Sequence, residues 1–123
     1  IAPPHFISDK AKVENSMIGE GCVIDGEVDY SILFSNVTVE EGAKVRYSII
    51  MPGTTIKSGA VVEYAIVAEN AVIEESAHIG ESPEEIDNLE NWGVTVIGEK
   101  VTIGKNAKVK AKEMIDTDVK EDK

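Results

Sequence analysis

Few side chains in this sequence are equipped for chemistry. The only histidines are His5 and His78. Histidine serves as a general base or a metal ligand, yet a three-histidine zinc site would need two more histidines from across an interface. His5 lies in a Pro-rich opening stretch. His78 takes the last place of a six-residue repeat, where a side chain faces water, and it reads as a plain surface histidine. The single cysteine, Cys22, sits near Glu20 and Asp25. A reactive thiol needs exposure and positive neighbours, so Cys22 is expected to be a small buried side chain. Residues 13–93 carry sixteen Asp and Glu against Lys44, Arg46 and Lys57. Most of these acids are expected on solvated faces, and neither a catalytic residue nor a metal site is assigned.

Two further groups invite a functional reading. Arg46 is the only arginine. It is a candidate contact for the phosphate of an effector, and the competing reading places it in a cross-strand charge ladder between Asp29 and Glu63. Tyr30, Tyr47 and Tyr64 recur every 17 residues. Stacked in register on one face, they form either an interface patch or an aromatic ladder that touches only its own neighbours.

These positions acquire meaning only from the repeat that must place them. Hexads open on an aliphatic residue at Ile7, Ile18, Leu33, Val39, Ile50, Ile56, Val67, Ile73, Ile97 and Ile103. Their fifth place is small or slim: Ala11, Cys22, Val37, Ala43, Thr54, Ala60, Ala71, Ala77, Val101 and Ala107. A longer period lies on top, in Val28 to Ile32, Val45 to Ile49 and Val62 to Ile66, with Val13 to Met17 a fainter copy. A pentad plus two hexads makes a coil of about 17 residues with three short strands, the arithmetic of a triangle. Gly21, Gly42, Gly53, Gly59 and Asn70 suit corners that require positive φ. Helical spacing of apolar residues fails over residues 7–79, and the turn pairs of a hairpin protein are nearly absent. The reading is all-β: a parallel β-helix of the hexapeptide-repeat kind, each coil buried by its neighbours.

The domain organisation follows. Residues 1–6 read as an extended linker, 7–109 as the β-helix, and 80–93 as a loop excursion from one corner, flexible and solvated, with five acids and no base. Residues 110–123 read as the end of the coil and a frayed tail. Composition narrows the function classes. The chain has 123 residues, net charge −11 and a pI near 4.5. Such a chain repels nucleic-acid phosphates and anionic lipid surfaces. One cysteine rules out an intrachain disulfide and fits a reducing compartment. The first residues resemble neither a signal peptide nor an initiator sequence, so the chain is expected to be the middle or end of something longer.

The chain resembles the C-terminal domain of bacterial glucose-1-phosphate adenylyltransferases, the catalytic type of subunit. The resemblance runs from Pro3-Pro4-His5-Phe6-Ile7 through Gly26-Glu27-Val28 and Ser31-Ile32-Leu33-Phe34. It continues through Ser48-Ile49-Ile50-Met51-Pro52 to Thr95-Val96-Ile97-Gly98, and covers about residues 1–109. It implies a left-handed β-helix. It also implies a full protein that makes ADP-glucose and pyrophosphate from ATP and glucose 1-phosphate in glycogen synthesis, in the cytoplasm. ATP and Mg²⁺ would then belong to a missing N-terminal catalytic domain, which this chain's lack of a Gly-rich phosphate loop fits. The fragment alone would be inactive and would bind no cofactor. Its partners would be its own catalytic domain and other subunits of a homo- or hetero-oligomer, a tetramer being the leading count. The implied role is assembly and allosteric regulation. Some members of the family bind sugar-phosphate activators through several basic residues of this domain, including the segment matching 80–93; here that segment has no base. Two other readings stay open: a hexapeptide acyltransferase, which would need a well-placed histidine base, and a non-catalytic sibling subunit or scaffold.

Overall fold

A computed structural model describes residues 4–122, and these wind into a β-helix with three flat faces. The first residues of the expected linker and Lys123 of the expected tail lie outside the described residues. Face 1 stacks Phe6–Ile7, Val23–Ile24, Thr38–Val39, Thr55–Ile56, Val72–Ile73 and Thr102–Ile103. Face 2 stacks Lys12–Glu14, Glu27–Asp29, Lys44–Arg46, Val61–Glu63, His78–Ile79 and Lys108–Val109. Face 3 stacks Met17–Ile18, Ile32–Leu33, Ile49–Ile50, Ala65–Val67, Thr95–Ile97 and Met114–Ile115. Every pairing between these strands is parallel, and the coil is of the left-handed type that the resemblance implied.

The hexad explains this shape residue by residue. Strands two or three residues long alternate their side chains, so the opening aliphatic of each hexad turns inward, as does Ile24 in the shorter second coil. Ile24, Val39, Ile56 and Ile73 are fully buried one above another on face 1, in register. The fifth-place residue fills the inside of a corner, where only a slim side chain fits. Cys22, Thr54, Ala60 and Ala71 are all fully buried there. Thr54 manages the burial of its hydroxyl by donating to the Ala68 carbonyl at 2.7 Å and accepting from the Ala71 N–H at 3.3 Å. The Cys22 thiol lies 2.9 Å from the Phe34 carbonyl, and burial pushes its pKa up. That inert, protonated environment fits the structural reading of Cys22.

Corners close through left-handed backbone. Gly21, Gly42, Gly53, Gly59 and Asn70 have φ between 56° and 83°, as expected, and Asn36, Ser76, Lys100, Asn106 and Lys112 repeat the conformation without a glycine. Gly53 shows why the residue type matters: a Cβ there would run into the side-chain oxygen of Asn70 on the next coil.

A second polar row was not anticipated. Ser16, Ser31 and Ser48 follow the third pentad place. Each hydroxyl donates to the carbonyl two residues back, at 2.7, 2.9 and 2.8 Å. Each also accepts the backbone N–H one coil on, from Ser31, Ser48 and Ala65. The row satisfies amide groups that the bent backbone leaves without a strand partner.

The coil also runs further than the hexads suggested. Met114–Ile115 forms a strand on face 3, and Val119 bridges Ile103 with its N–H 2.9 Å from the Thr102 carbonyl. The Asp118 carboxylate accepts the Thr102 N–H at 2.9 Å. Residues beyond 109 therefore complete a coil and cover an otherwise open strand edge.

The register makes a direct test. Ile56 is fully buried, whereas Lys57 turns outward to reach Glu74 at 3.2 Å. Ile56→Asp is expected to remove several kcal/mol, comparable to the whole stability of a domain this size. Lys57→Ala is expected to shift the urea midpoint far less. Equal shifts would mean that the inward and outward rows are misassigned.

Candidate functional site

The third pentad place builds the most distinctive surface. Tyr30, Tyr47 and Tyr64 have φ of 47°, 49° and 50°, a left-handed conformation that bulky residues rarely adopt. The bend throws each ring out of the alternating strand pattern and against the ring of a neighbouring coil. The Tyr30 and Tyr47 centroids lie 5.1 Å apart at an interplanar angle of 5°; Tyr47 and Tyr64 lie 4.8 Å apart at 9°. Asn15 holds the same place and φ in the first coil, where its amide donates to Asp29 at 3.3 Å. The rings stack on one another in register, as both readings from the sequence require. The outer edge of the stack still faces water, since Tyr30 is 53% and Tyr47 48% exposed. Partial desolvation between its neighbours, with repulsion from Tyr64, Tyr30, Asp29 and Glu84, raises the Tyr47 phenol above its ordinary pKa.

The top of the ladder is closed by Trp92, which no local pattern announced. Its ring meets Tyr64 edge-on at 5.7 Å and 82°, and its Nε1 donates to the Glu81 carbonyl at 2.7 Å. The 80–93 excursion is thus more than a solvated acidic run. It contains two short 3₁₀ turns, Pro83–Glu85 and Leu89–Asn91, capped by the side chains of Ser82 and Asn88. Glu81 accepts the Ala111 N–H at 2.9 Å, and Lys112 reaches the Glu90 carbonyl at 3.2 Å. The loop leaves the coil at Gly80, whose φ of +85° and position against the Glu63 carbonyl leave no room for a Cβ.

Beside the ladder, face 2 aligns Asp29, Arg46 and Glu63 on successive coils, the order the sequence implied. The contacts are narrower than a continuous ladder. Arg46 meets Glu63 at 3.7 Å. Glu63 is only 4% exposed, and its carboxylate lies 2.7 Å from His78 Nε2. His78 is outward-facing, as expected, but it is the principal partner of a buried acid rather than a plain surface histidine. Gly80 has no side chain to offer Glu63, so His78 on the same coil is the neighbour within reach. An open recess beside this cluster is lined by Arg46, Tyr47, Tyr64, Ser82, Glu84 and Glu85. Its rim is mostly anionic, so Arg46 is drawn to a carboxylate and not grouped with other bases. Among the described residues, no cluster of three or more His, Cys, Asp and Glu is arranged to hold a metal ion.

Comparison with known proteins agrees with this architecture. Residues 2–98 match the family model for GlmU-like C-terminal hexapeptide domains. Over 43 residues the chain is 65% identical to the glucose-1-phosphate adenylyltransferase of Bacillus cytotoxicus, and 63% identical to those of Bacillus mycoides and Bacillus anthracis. The matched segment is 35% of this chain and 11% of each relative, so the chain spans only a minor part of their length. The crystal structure of PerB from Caulobacter crescentus, in complex with CoA and GDP-perosamine, superposes over 98% of this chain and 53% of its own with a TM-score of 0.60. At 15% identity that likeness is one of fold.

Two substitutions test the site. Tyr64→Ala removes the ring contacts with Tyr47 and Trp92 and is expected to cost about 1–3 kcal/mol. Tyr64→Gly is expected to cost about 1 kcal/mol less than Tyr64→Ala, because glycine relieves the left-handed backbone. Chemical denaturation that ranks alanine above glycine would contradict the strain account. His78→Ala leaves the buried Glu63 carboxylate with Arg46 alone and should destabilise by about 1–3 kcal/mol. Adding Glu63→Gln should recover part of that loss, and a loss unchanged by it would show that the pair is not coupled.

Proposed function

This chain belongs to the GlmU-like C-terminal hexapeptide family, and on that premise we propose that it is the assembly and regulatory β-helix domain of a glucose-1-phosphate adenylyltransferase. The observation that carries the reading is the 63–65% identity to such enzymes over 43 residues. In this proposal, ATP, Mg²⁺ and glucose 1-phosphate are handled by a nucleotidyltransferase domain outside these 123 residues. The full protein then makes ADP-glucose and pyrophosphate in the cytoplasm, and the fragment does no chemistry alone. The surface described above supports this division: its recess is open and anionic at the rim, a poor cradle for a nucleotide.

Regulation is the part to which this chain's own residues speak. The Trp92 latch, the buried Glu63 and the exposed edges of Tyr30, Tyr47 and Tyr64 meet where the loop leaves the coil. A neighbouring domain or subunit seated on the tyrosine edge would sense whether the loop is latched. An anionic effector reaching Arg46 would have to compete with Glu63 for the guanidinium, which couples effector binding to the Glu63–His78 pair. A second reading, acyl transfer, has one observation in its favour. Glu63 orients His78 through Nε2 and leaves Nδ1 as the ring nitrogen free to take a proton from an acceptor.

Grafting tests the assignment. When this chain replaces the matching C-terminal part of the Bacillus cytotoxicus enzyme, the chimera is expected to assemble and to make ADP-glucose, while the 123-residue chain alone releases no pyrophosphate above background. A folded chimera that neither assembles nor turns over would overturn the proposal. Acyl transfer from a thioester by the isolated chain, abolished by His78→Ala, would replace it with the second reading.

A further inference from the structure

Burial divides the chain unevenly. The column core runs from Cys22 to Val109, with Ile24, Val39, Ile56, Ile73, Ile79 and Ile103 fully buried along it. Two segments stand outside that core. Between residues 81 and 94 no residue is buried, and between 110 and 122 only Ala111 is. Segments that bury so little open far more readily than the core unfolds. Each is held instead by polar contacts, and those contacts join the two to one another. In earlier coils the corner between faces 2 and 3 hangs on the coil before it. The Tyr47 N–H donates to the Asp29 carbonyl and the Tyr64 N–H to the Arg46 carbonyl, each at 3.1 Å. At residues 110–113 the excursion stands where that earlier corner would be. The Lys112 N–H donates to the Gly93 carbonyl at 2.9 Å, the Ala111 N–H to the Glu81 carboxylate at 2.9 Å, and the Lys112 ammonium to the Glu90 carbonyl at 3.2 Å. From this corner the chain passes through Met114–Ile115 to a terminal strap across the end of face 1. There the Val119 N–H donates to the Thr102 carbonyl at 2.9 Å, and its carbonyl accepts the Gly104 N–H at 2.7 Å.

We propose that the excursion at 80–93 and the terminal segment 110–122 form one cooperative unit that opens and closes against a rigid column, with Trp92 as its latch. Glu81 carries the coupling. Its carbonyl accepts from Trp92 Nε1, and its carboxylate accepts from the Ala111 N–H. While the Trp92 ring rests on Tyr64, Glu81 at one end of the excursion and Glu90 and Gly93 at the other grip the same corner. Releasing Trp92 loosens both grips together and leaves the N–H groups of Ala111 and Lys112 without partners in the chain. Lys112 has a φ of 70°, a left-handed conformation that a lysine keeps only while its contacts hold it. With that corner relaxed, the strap beyond it loses its anchor. The column takes no part in the motion, because its buried rows fix its register. What the unit switches is a strand edge. Closed, Val119 and the Asp118 carboxylate cover Thr102–Ile103. Open, that strand presents unpaired N–H and C=O groups at the end of the column. The tyrosine corner and the column's end are therefore coupled, and each biases the other to the same degree. The inference rests on hydrogen bonds within this chain and does not depend on the adenylyltransferase assignment.

Trp92 is the only tryptophan of the 123-residue chain, so its emission reports the latch, and amide hydrogen exchange reports the rest. In urea below the main transition, the emission is expected to move to the red while the circular dichroism of the sheets stays unchanged. A single transition shared by both signals would overturn the proposal. Trp92→Ala is expected to speed exchange at Ala111, Lys112 and Val119 by one common factor of about tenfold, as the loss of one aromatic contact and one hydrogen bond implies. Thr55 and Lys57, whose amides bond within the column, are expected to keep their rates. Faster exchange at Ala111 and Lys112 but not at Val119, or equal acceleration in the column, would count against a single unit. The reciprocal variant works from the other end. Val119→Asp is expected to move the Trp92 emission to the red in buffer alone. An emission left unchanged by it would show that excursion and strap open separately, and would sink the coupling.

Discussion

Each coil of a parallel β-helix must return its backbone to the hydrogen-bonding groups of the coil before it, and everything else in this molecule depends on that closure. The return takes 17 residues between Ile56 and Ile73 and 15 between Ile24 and Val39. Because side chains alternate, a slip of one residue would turn a whole aliphatic row into water. Slim residues inside the corners and left-handed residues at their tips are what allow a closed triangle of that length. The same closure explains why the aliphatic core can do without large rings: stacked Ile, Val and Ala rows fill a narrow triangular interior.

An insertion is tolerated only where it leaves the register untouched. Between Ile79 and Val109 the return lengthens to 30 residues, yet the two remain paired on face 2. The additional chain exits at Gly80 and rejoins before Thr95, so it acts on the outside of the coil. There it generates what the periodic part cannot. It places Trp92 on the tyrosine ladder and walls in Glu63, turning a regular charged row into a buried acid held by Arg46 and His78. Backbone strain at the three tyrosines and the stacking of their rings are linked: a left-handed residue carries a penalty, and the ring contact offsets it.

The three faces divide the labour of the surface. Face 2 carries charged outer residues, face 1 mixes Thr with Phe6, Val23 and Val72, and face 3 turns out Met17, Ile32, Ile49, Ile66, Val96 and Met114. A hexapeptide coil is itself compatible with several activities, so the functional reading rests on family membership and on the identity to glucose-1-phosphate adenylyltransferases. The fold contributes a rigid column, and the one large excursion from it gathers Trp92, Tyr64, Glu63 and His78 at a single corner.

The coil, the inward rows and the corners are legible in the amino-acid sequence. Each follows from residue type at a short fixed spacing, and so does the stacking of Tyr30, Tyr47 and Tyr64. The fate of Arg46 was half legible: its order between Asp29 and Glu63 follows from the 17-residue period, whereas the burial of Glu63 does not. The pairing of His78 with Glu63, the placement of Trp92 and the strand at Met114–Ile115 escaped the reading for one reason. They depend on where an aperiodic segment of 14 residues lands on the column, and no periodicity encodes that. The apolar row of face 3 lies between these cases. Met17, Ile32, Ile49 and Ile66 are spaced by the repeat, but Val96 and Met114 join them only because the coil closes across the insertion. Local spacing decides what a solenoid repeats, and only the folded column decides what touches the part that does not repeat.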